Sequence, residues 1–134
     1  MNQEKCLITN LKPTDMILDE QANLCNITMV TEPRKAGKHG SAKVFYNYTI
    51  LYNNNKVQTV GKSRDQVFKI SINKNLAEKV FENEEEVTFI DTLSGQVLSF
   101  TTPYLINLNI KDKKEITQQF FFFVYKDYCF YQNR

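Results

Sequence analysis

Between Ala42 and Tyr52 the sequence alternates so regularly that a β-strand is the reading it supports. Val44, Tyr46, Tyr48, Ile50 and Tyr52 fall on one face of an extended chain, and Phe45, Asn47, Thr49 and Leu51 on the other. The tract Asn53-Asn54-Asn55 then breaks the run, because Asn tolerates positive φ and closes turns. Lys56 to Val60 reads as the returning strand. Upstream, Cys6–Thr9, Met16–Leu18 and Leu24–Val30 are short β-biased runs separated by turn formers such as Lys12-Pro13-Thr14-Asp15. Several short strands at close spacing predict a small barrel.

The second half repeats the style without repeating the sequence. Glu86 to Leu93 and Gln96 to Thr101 flank Ser94-Gly95, a hairpin turn by its chemistry. Ile116 to Tyr125 contains Phe120-Phe121-Phe122-Phe123, a continuous apolar run that reads as a strand buried on both faces. Left exposed, such a run would invite aggregation. Lys126-Asp127 offers a turn into a last strand over Tyr128–Tyr131, and the acidic run Asn83-Glu84-Glu85-Glu86 reads as a solvated loop. Helix signal is weak throughout, with Asn75 to Phe81 the one window left open to it. The prediction is an all-β chain of two small barrels. The polar stretch Gly61 to Gln66 places their junction near residues 63–71, giving domains at 1–68 and 69–134.

Composition agrees. The chain has 7 Tyr and 10 Phe against 4 Gly and 3 Pro, a mix that favours strands joined by tight polar turns. With 42% apolar residues it can bury a core, so it is not a disordered tail. Net charge is only +2, but it is unevenly spread. Residues 1–70 hold 10 Lys and Arg against 6 Asp and Glu, net +4, and residues 71–134 hold 7 against 9, net −2. The N-terminal half is the one suited to an anionic partner. Cys6, Cys25 and Cys129 form no C-x-x-C pair and cannot all be bridged, which predicts reduced, buried thiols. The polar start Met1-Asn2-Gln3-Glu4-Lys5 predicts no signal peptide, and no apolar run approaches membrane-spanning length. A cytoplasmic protein with no membrane partner is expected.

The chemistry-bearing segment is Arg34 to Lys43. It holds Arg34, Lys35, Lys38, Lys43 and the only histidine, His39, with no acid, together with two of the chain's glycines, Gly37 and Gly40. Lying between two strands, it reads as a hairpin tip whose glycines permit a tight turn that pushes Lys38 outward. An exposed cationic tip suits a phosphate-lined crevice. On composition alone a plain solvated turn fits as well. A phosphate-binding loop of the nucleotide-hydrolase kind does not, because its first Gly and its Ser or Thr are replaced here by Glu32 and His39. His39 has no nucleophile paired with it and no second ligand for a metal, so no catalytic residue, metal or enzymatic activity is expected.

Lys35-Ala36-Gly37-Lys38-His39-Gly40-Ser41-Ala42-Lys43-Val44 resembles the signature loop of translation initiation factor 5A, Lys-x-Gly-Lys-His-Gly-x-Ala-Lys-Val, at every fixed position. Ser41 stands where eukaryotic members usually have His and archaeal members often have Ser. Fainter likeness extends to Cys6, the Ser94-Gly95-Gln96-Val97 turn and Phe100-Thr101-Thr102-Pro103. Two features depart from the family: the segment between Pro103 and Ile116 is shorter than in eukaryotic members, and the C-terminus is Phe-rich.

The resemblance implies an SH3-like barrel followed by an OB-fold. It implies that Lys38 is converted to hypusine with an aminobutyl group from spermidine, by deoxyhypusine synthase and then a deoxyhypusine hydroxylase. No other cofactor is implied. Lysine suits this chemistry because a primary amine can attack an imine carbon, whereas a guanidinium cannot. The modified factor would bind the ribosome near its exit site and reach the acceptor end of the peptidyl-tRNA. There it would promote peptide-bond formation at stalled sequences, with Arg34, Lys35, Gly37, His39, Gly40 and Lys43 as the tRNA- and rRNA-contacting loop. Two other readings stand beside it: a ribosome-bound regulatory or dormancy paralogue, and a general single-stranded RNA-binding module using the second barrel.

Overall fold

A computed structural model describes residues 2–31, the backbone of 34–35, and residues 42–109 and 115–134. The chain divides into two units, Met1–Ser71 and Ile72–Arg134. Both are built of strands, with single 3-10 turns at Ile8–Asn10 and Thr102–Tyr104.

Among the described residues the first unit is a seven-stranded antiparallel sheet. Its strands are β1 (Asn2–Leu7), β2 (Met16–Leu18), β3 (Leu24–Val30), β4 (Arg34–Lys35), β5 (Ala42–Ile50), β6 (Asn55–Lys62) and β7 (Gln66–Ser71). They run in the order β1-β7-β2-β3-β5-β4, and β6 pairs with β5 as well. The core gathers Ile8, Leu11, Ile17, Cys25, Ile27 and Val44, with Tyr46, Tyr48 and Ile50 packed against it. The alternation from Val44 to Ile50 is thus resolved as expected, and its even positions face the core. At the strand's end the pattern shifts. Leu51 is buried and Tyr52 exposed, because β5 stops at Ile50 and the turn begins. Asn54 closes that turn at φ 59°.

The junction differs from the sequence expectation. Within the stretch Gly61 to Gln66, residues 63–65 are the turn between β6 and β7, held by the Lys62 amide donating to Asp65 Oδ2 at 2.8 Å. A cut at 68/69 would divide β7, whose Ile70 is 5% exposed and which pairs with both β1 and β2. Polarity there marks a tight turn within a sheet, not a linker.

The second unit is a six-stranded sheet among the described residues. It comprises β8 (Asn75–Glu82), β9 (Glu86–Asp91), β10 (Val97–Thr101), β11 (Leu105–Asn107), β12 (Gln119–Tyr125) and β13 (Tyr128–Asn133). The order is β10-β9-β8-β12-β13-β11, antiparallel except for β11 on β13. The window left open to helix, Asn75 to Phe81, is strand β8. Its Leu, Ala, Glu and Lys have good helix propensity, but pairing with β9 on one side and β12 on the other overrides it. Phe89 anchors the core, its ring 4.8 Å from Phe122 and 5.1 Å from Phe120 by centroid, both edge-on. The four-Phe run is used on both faces of β12. Phe120 and Phe122 enter that core, while Phe123 stacks on Phe130 at 5.0 Å. Gly95, at φ +74°, makes the β9–β10 turn, and Lys126, at φ 53°, makes the β12–β13 turn.

Candidate functional site

The sequence places the site between β4 and β5, and the structure describes what holds it. Lys35 is paired with Ala42 and Arg34 with Lys43, antiparallel. Lys38, the residue expected to be modified, lies with Gly37, His39 and Gly40 in the span 36–41, outside the described residues. The chain is carried from β3 towards this stem by a local lock on β5. The Phe45 amide donates to Thr31 Oγ1 at 3.0 Å, and the Thr31 amide donates to the Phe45 carbonyl at 2.9 Å. Fixing both flanks in one sheet is what an insertion loop needs, since the precision of a tip is set by its base.

Lys43 is exposed and belongs to a row that sequence reasoning did not assemble. Its cross-strand partner on β4 is Arg34, and on β6 it is Lys62. Three cationic positions therefore stand abreast on adjoining strands, which lie about 4.8 Å apart. By sequence alone Lys62 falls in the polar stretch Gly61 to Gln66. The Asn53-Asn54-Asn55 turn held the missing signal, because the register it sets, Ile50 opposite Asn55, runs unbroken to Lys43 opposite Lys62. Like charges directly opposite each other are unfavourable by roughly 0.2–1 kcal/mol. Selection for stability alone would have no reason to keep them there.

The opposite face of the same strands carries the opposite charge. Tyr46 and Tyr48, ring centroids 6.2 Å apart, line a cavity of about 700 Å³ with Asp19, Glu20 and Asp65, and among the described residues no Lys or Arg lines it. Burial pushes the Tyr46 phenol above its ordinary range, and the charges of Asp65 and Glu20 push it further. Burial also raises Tyr48, with Cys25, Asp19, Tyr46 and Glu20 adding to it. An anionic partner is repelled there and drawn to the side bearing the cation row. In the second unit a cavity of about 430 Å³ is likewise acidic, with Glu82, Glu84 and Glu115 in its wall. Lys79 Nζ, the basic group beside it, is engaged by Glu82 at 3.1 Å and by the Ile116 carbonyl at 2.8 Å. Among the described residues no three His, Cys, Asp or Glu side chains gather closely enough to hold a metal ion.

No family model matches the sequence, and neither does any curated protein. Solved structures do match. Eukaryotic translation initiation factor 5A from Methanococcus jannaschii superposes with a TM-score of 0.69 over 90% of this chain and 87% of its own, at 15% identity. A translation initiation factor eIF-5A family protein from Naegleria fowleri gives 0.60 over 73% of this chain and 67% of its own, at 21% identity. The chain has the fold of translation initiation factor 5A. In that fold the β4–β5 stem, with Arg34 opposite Lys43, is the element that brackets Lys38 in the sequence. The expected all-β architecture of two units is what the structure and this likeness both show.

Proposed function

We propose that this chain is a translation factor of the initiation factor 5A family. It acts on the ribosome, presenting Lys38 as hypusine to the acceptor end of a peptidyl-tRNA. The observation that carries the reading is the union of two independent facts. The family-like segment Lys35 to Val44 is matched at every fixed position, and its two flanks form a paired stem on a sheet with the initiation factor 5A fold.

The mechanism is one of positioning. A lengthened primary amine on a β-stem reaches beyond what lysine spans, and the cations beside it hold RNA phosphates so that the amine meets one site on the tRNA end. The bond-forming chemistry stays with the ribosome. Deoxyhypusine synthase would supply the aminobutyl group from spermidine, and a hydroxylase would finish it. Arg34, Lys35 and Lys43 anchor the loop on RNA, and His39 stacks or hydrogen-bonds there.

Intact-mass and peptide mass spectrometry of the protein purified from its own cells tests this directly. An aminobutyl addition on Lys38, with or without hydroxylation, is expected, together with loss of growth when Lys38→Arg is the only copy. Bare lysine in a protein abundant on idle ribosomes would replace this reading with that of a regulatory paralogue.

A further inference from the structure

The outward face of β5 and β6 carries more than the cation row. Reading the register away from Lys43 and Lys62, the next outward pair is Phe45 opposite Val60, and the next is Asn47 opposite Gln58. Lys56 follows, opposite Thr49, which is buried. Phe45 is 46% exposed, Val60 51% and Met29 45%. Met29 reaches this face through a β-bulge. The register of β3 on β5 shifts between Ile27 and Met29, so Thr28 and Met29 are both exposed and Met29 stands opposite Asn47. Met29, Phe45, Asn47, Gln58 and Val60 rim a shallow depression of about 340 Å³.

None of the described residues on this face is acidic. It offers, in order along the strands, two ammonium groups, one aromatic ring flanked by apolar groups, and two primary amides. Successive outward pairs are roughly 6.6 Å apart. A protein partner would match the apolar groups but leave two opposed lysines to be neutralised. A lipid headgroup would use the lysines and leave the amides unused. A single-stranded nucleic acid uses all three, with phosphates on ammonium, a base on the ring and base edges on amides.

We propose that the outward face of β5–β6 is a nucleotide-stacking site, on which an unpaired RNA base lies against Phe45 with its phosphates at Lys43 and Lys62 and its edge towards Asn47 and Gln58. The inference rests on the reading of this chain as an RNA-facing translation factor and extends its contact surface from the loop onto the sheet. Phe45 is the specific element, because its ring is half exposed beside opposed lysines and lies outside the first unit's core, where its structural part is limited to the cross-strand pair with Val60. The bulge at Thr28 matters too, since it brings Met29 up as a side wall for the base.

The test uses the purified full-length chain, without hypusine, and fluorescein-labelled A12 RNA at low salt. Phe45→Leu keeps an apolar group opposite Val60 at a half-exposed position, so its thermal midpoint should stay within a few degrees of the parent's. Its affinity for A12 should fall about fivefold or more, and Phe45→Tyr should restore it. The chain has no Trp, so Phe45→Trp installs a single reporter whose emission A12 should quench. Lys62→Gln should lower the salt dependence of binding by about one contact's worth. Binding of Phe45→Leu within twofold of the parent overturns the proposal. So does quenching of Phe45→Trp by poly-glutamate at matched charge, which would mean charge attraction without stacking. A hypusinated chain that supports growth while Phe45→Leu binds A12 normally would sink the stacking site alone. Bare Lys38 with Phe45-dependent RNA binding would sink the hypusine mechanism alone.

Discussion

Lys43 and Lys62 stand directly opposite one another on antiparallel β5 and β6, with Arg34 in line on the far side of Lys43. Cross-strand like charges oppose folding, and an acidic residue in the row would turn repulsion into attraction. Among the described residues the unit's one ion pair within 4 Å lies elsewhere, between Lys69 and Asp15 at 3.6 Å.

Lys62→Glu should therefore raise stability while damaging function. The gain is about 0.5–1 kcal/mol, seen as an upward shift of a few degrees in thermal midpoint, and adding salt should shrink the difference. The same chain should bind RNA more weakly and complement poorly. An unchanged midpoint at low salt together with full complementation would show the row to be incidental.

The second unit should fail as a whole when its aromatic hub is removed. Phe89 is fully buried and in ring contact with Phe100, Phe120 and Phe122. Phe89→Ala should cost about 3–5 kcal/mol, the transfer of a ring plus the cavity it leaves. Denaturant unfolding followed by tyrosine fluorescence measures it, and Phe89→Leu should lose distinctly less. Near-wild-type stability of Phe89→Ala would mean the four-Phe strand collapses to fill the gap.

Much of this architecture was legible in the sequence, where side-chain period and turn chemistry acted alone. Val44 to Ile50, the Asn54 turn, the Gly95 turn and the Lys126 turn all follow from local rules. Strand β8 did not, because Leu76-Ala77-Glu78-Lys79 is locally helix-compatible and only β9 and β12 make it extended. Lys62 was missed as a site residue for a related reason. Its neighbours on the row come from sequence positions far apart, and register, not composition, joins them. The loop residues Gly37 to Gly40 were visible as a motif, but the outward face of β5 and β6 depends on a bulge at Thr28 that no local signal announces.

The cysteines should separate by reactivity. Cys6 is partly exposed, while Cys25 and Cys129 are fully buried. Burial, with the Asp19 charge adding to it at Cys25, pushes both of these thiols up to about 12 from 9.0. Iodoacetamide at pH 8 should thus label Cys6 first and reach the other two only after unfolding. Because the folded values lie above the unfolded ones, the stability they support is complete below pH 9. It is lost as pH rises from 9 towards 12, since the unfolded chain ionises first. Stability measured from pH 8 to 11 should fall, and Cys25→Ala with Cys129→Ala should flatten that slope. Equal labelling of all three thiols in the native state would contradict the burial on which this rests.

Two glycines should lose stability to the same change of side chain for different reasons. A Cβ on Gly61 would stand 2.7 Å from Ile8 Cδ1 and 3.1 Å from Asp65 Oδ2, and Ile8 is 1% exposed in the first core. Gly61→Ala must then displace a packed side chain or the Asp65 turn that fixes Lys62. A loss of about 1–3 kcal/mol is expected, through overpacking. Gly95 has open space around it but sits at φ +74°, so Gly95→Ala suffers from backbone strain alone, about 1 kcal/mol, and Gly95→Asn should recover part of it. Chemical denaturation measures both losses, and RNA binding distinguishes the two, because only Gly61→Ala should also weaken it, through the displaced Lys62. If Gly61→Ala left both stability and binding untouched, the close packing of Ile8 under β6 would not be what holds the cation row in place.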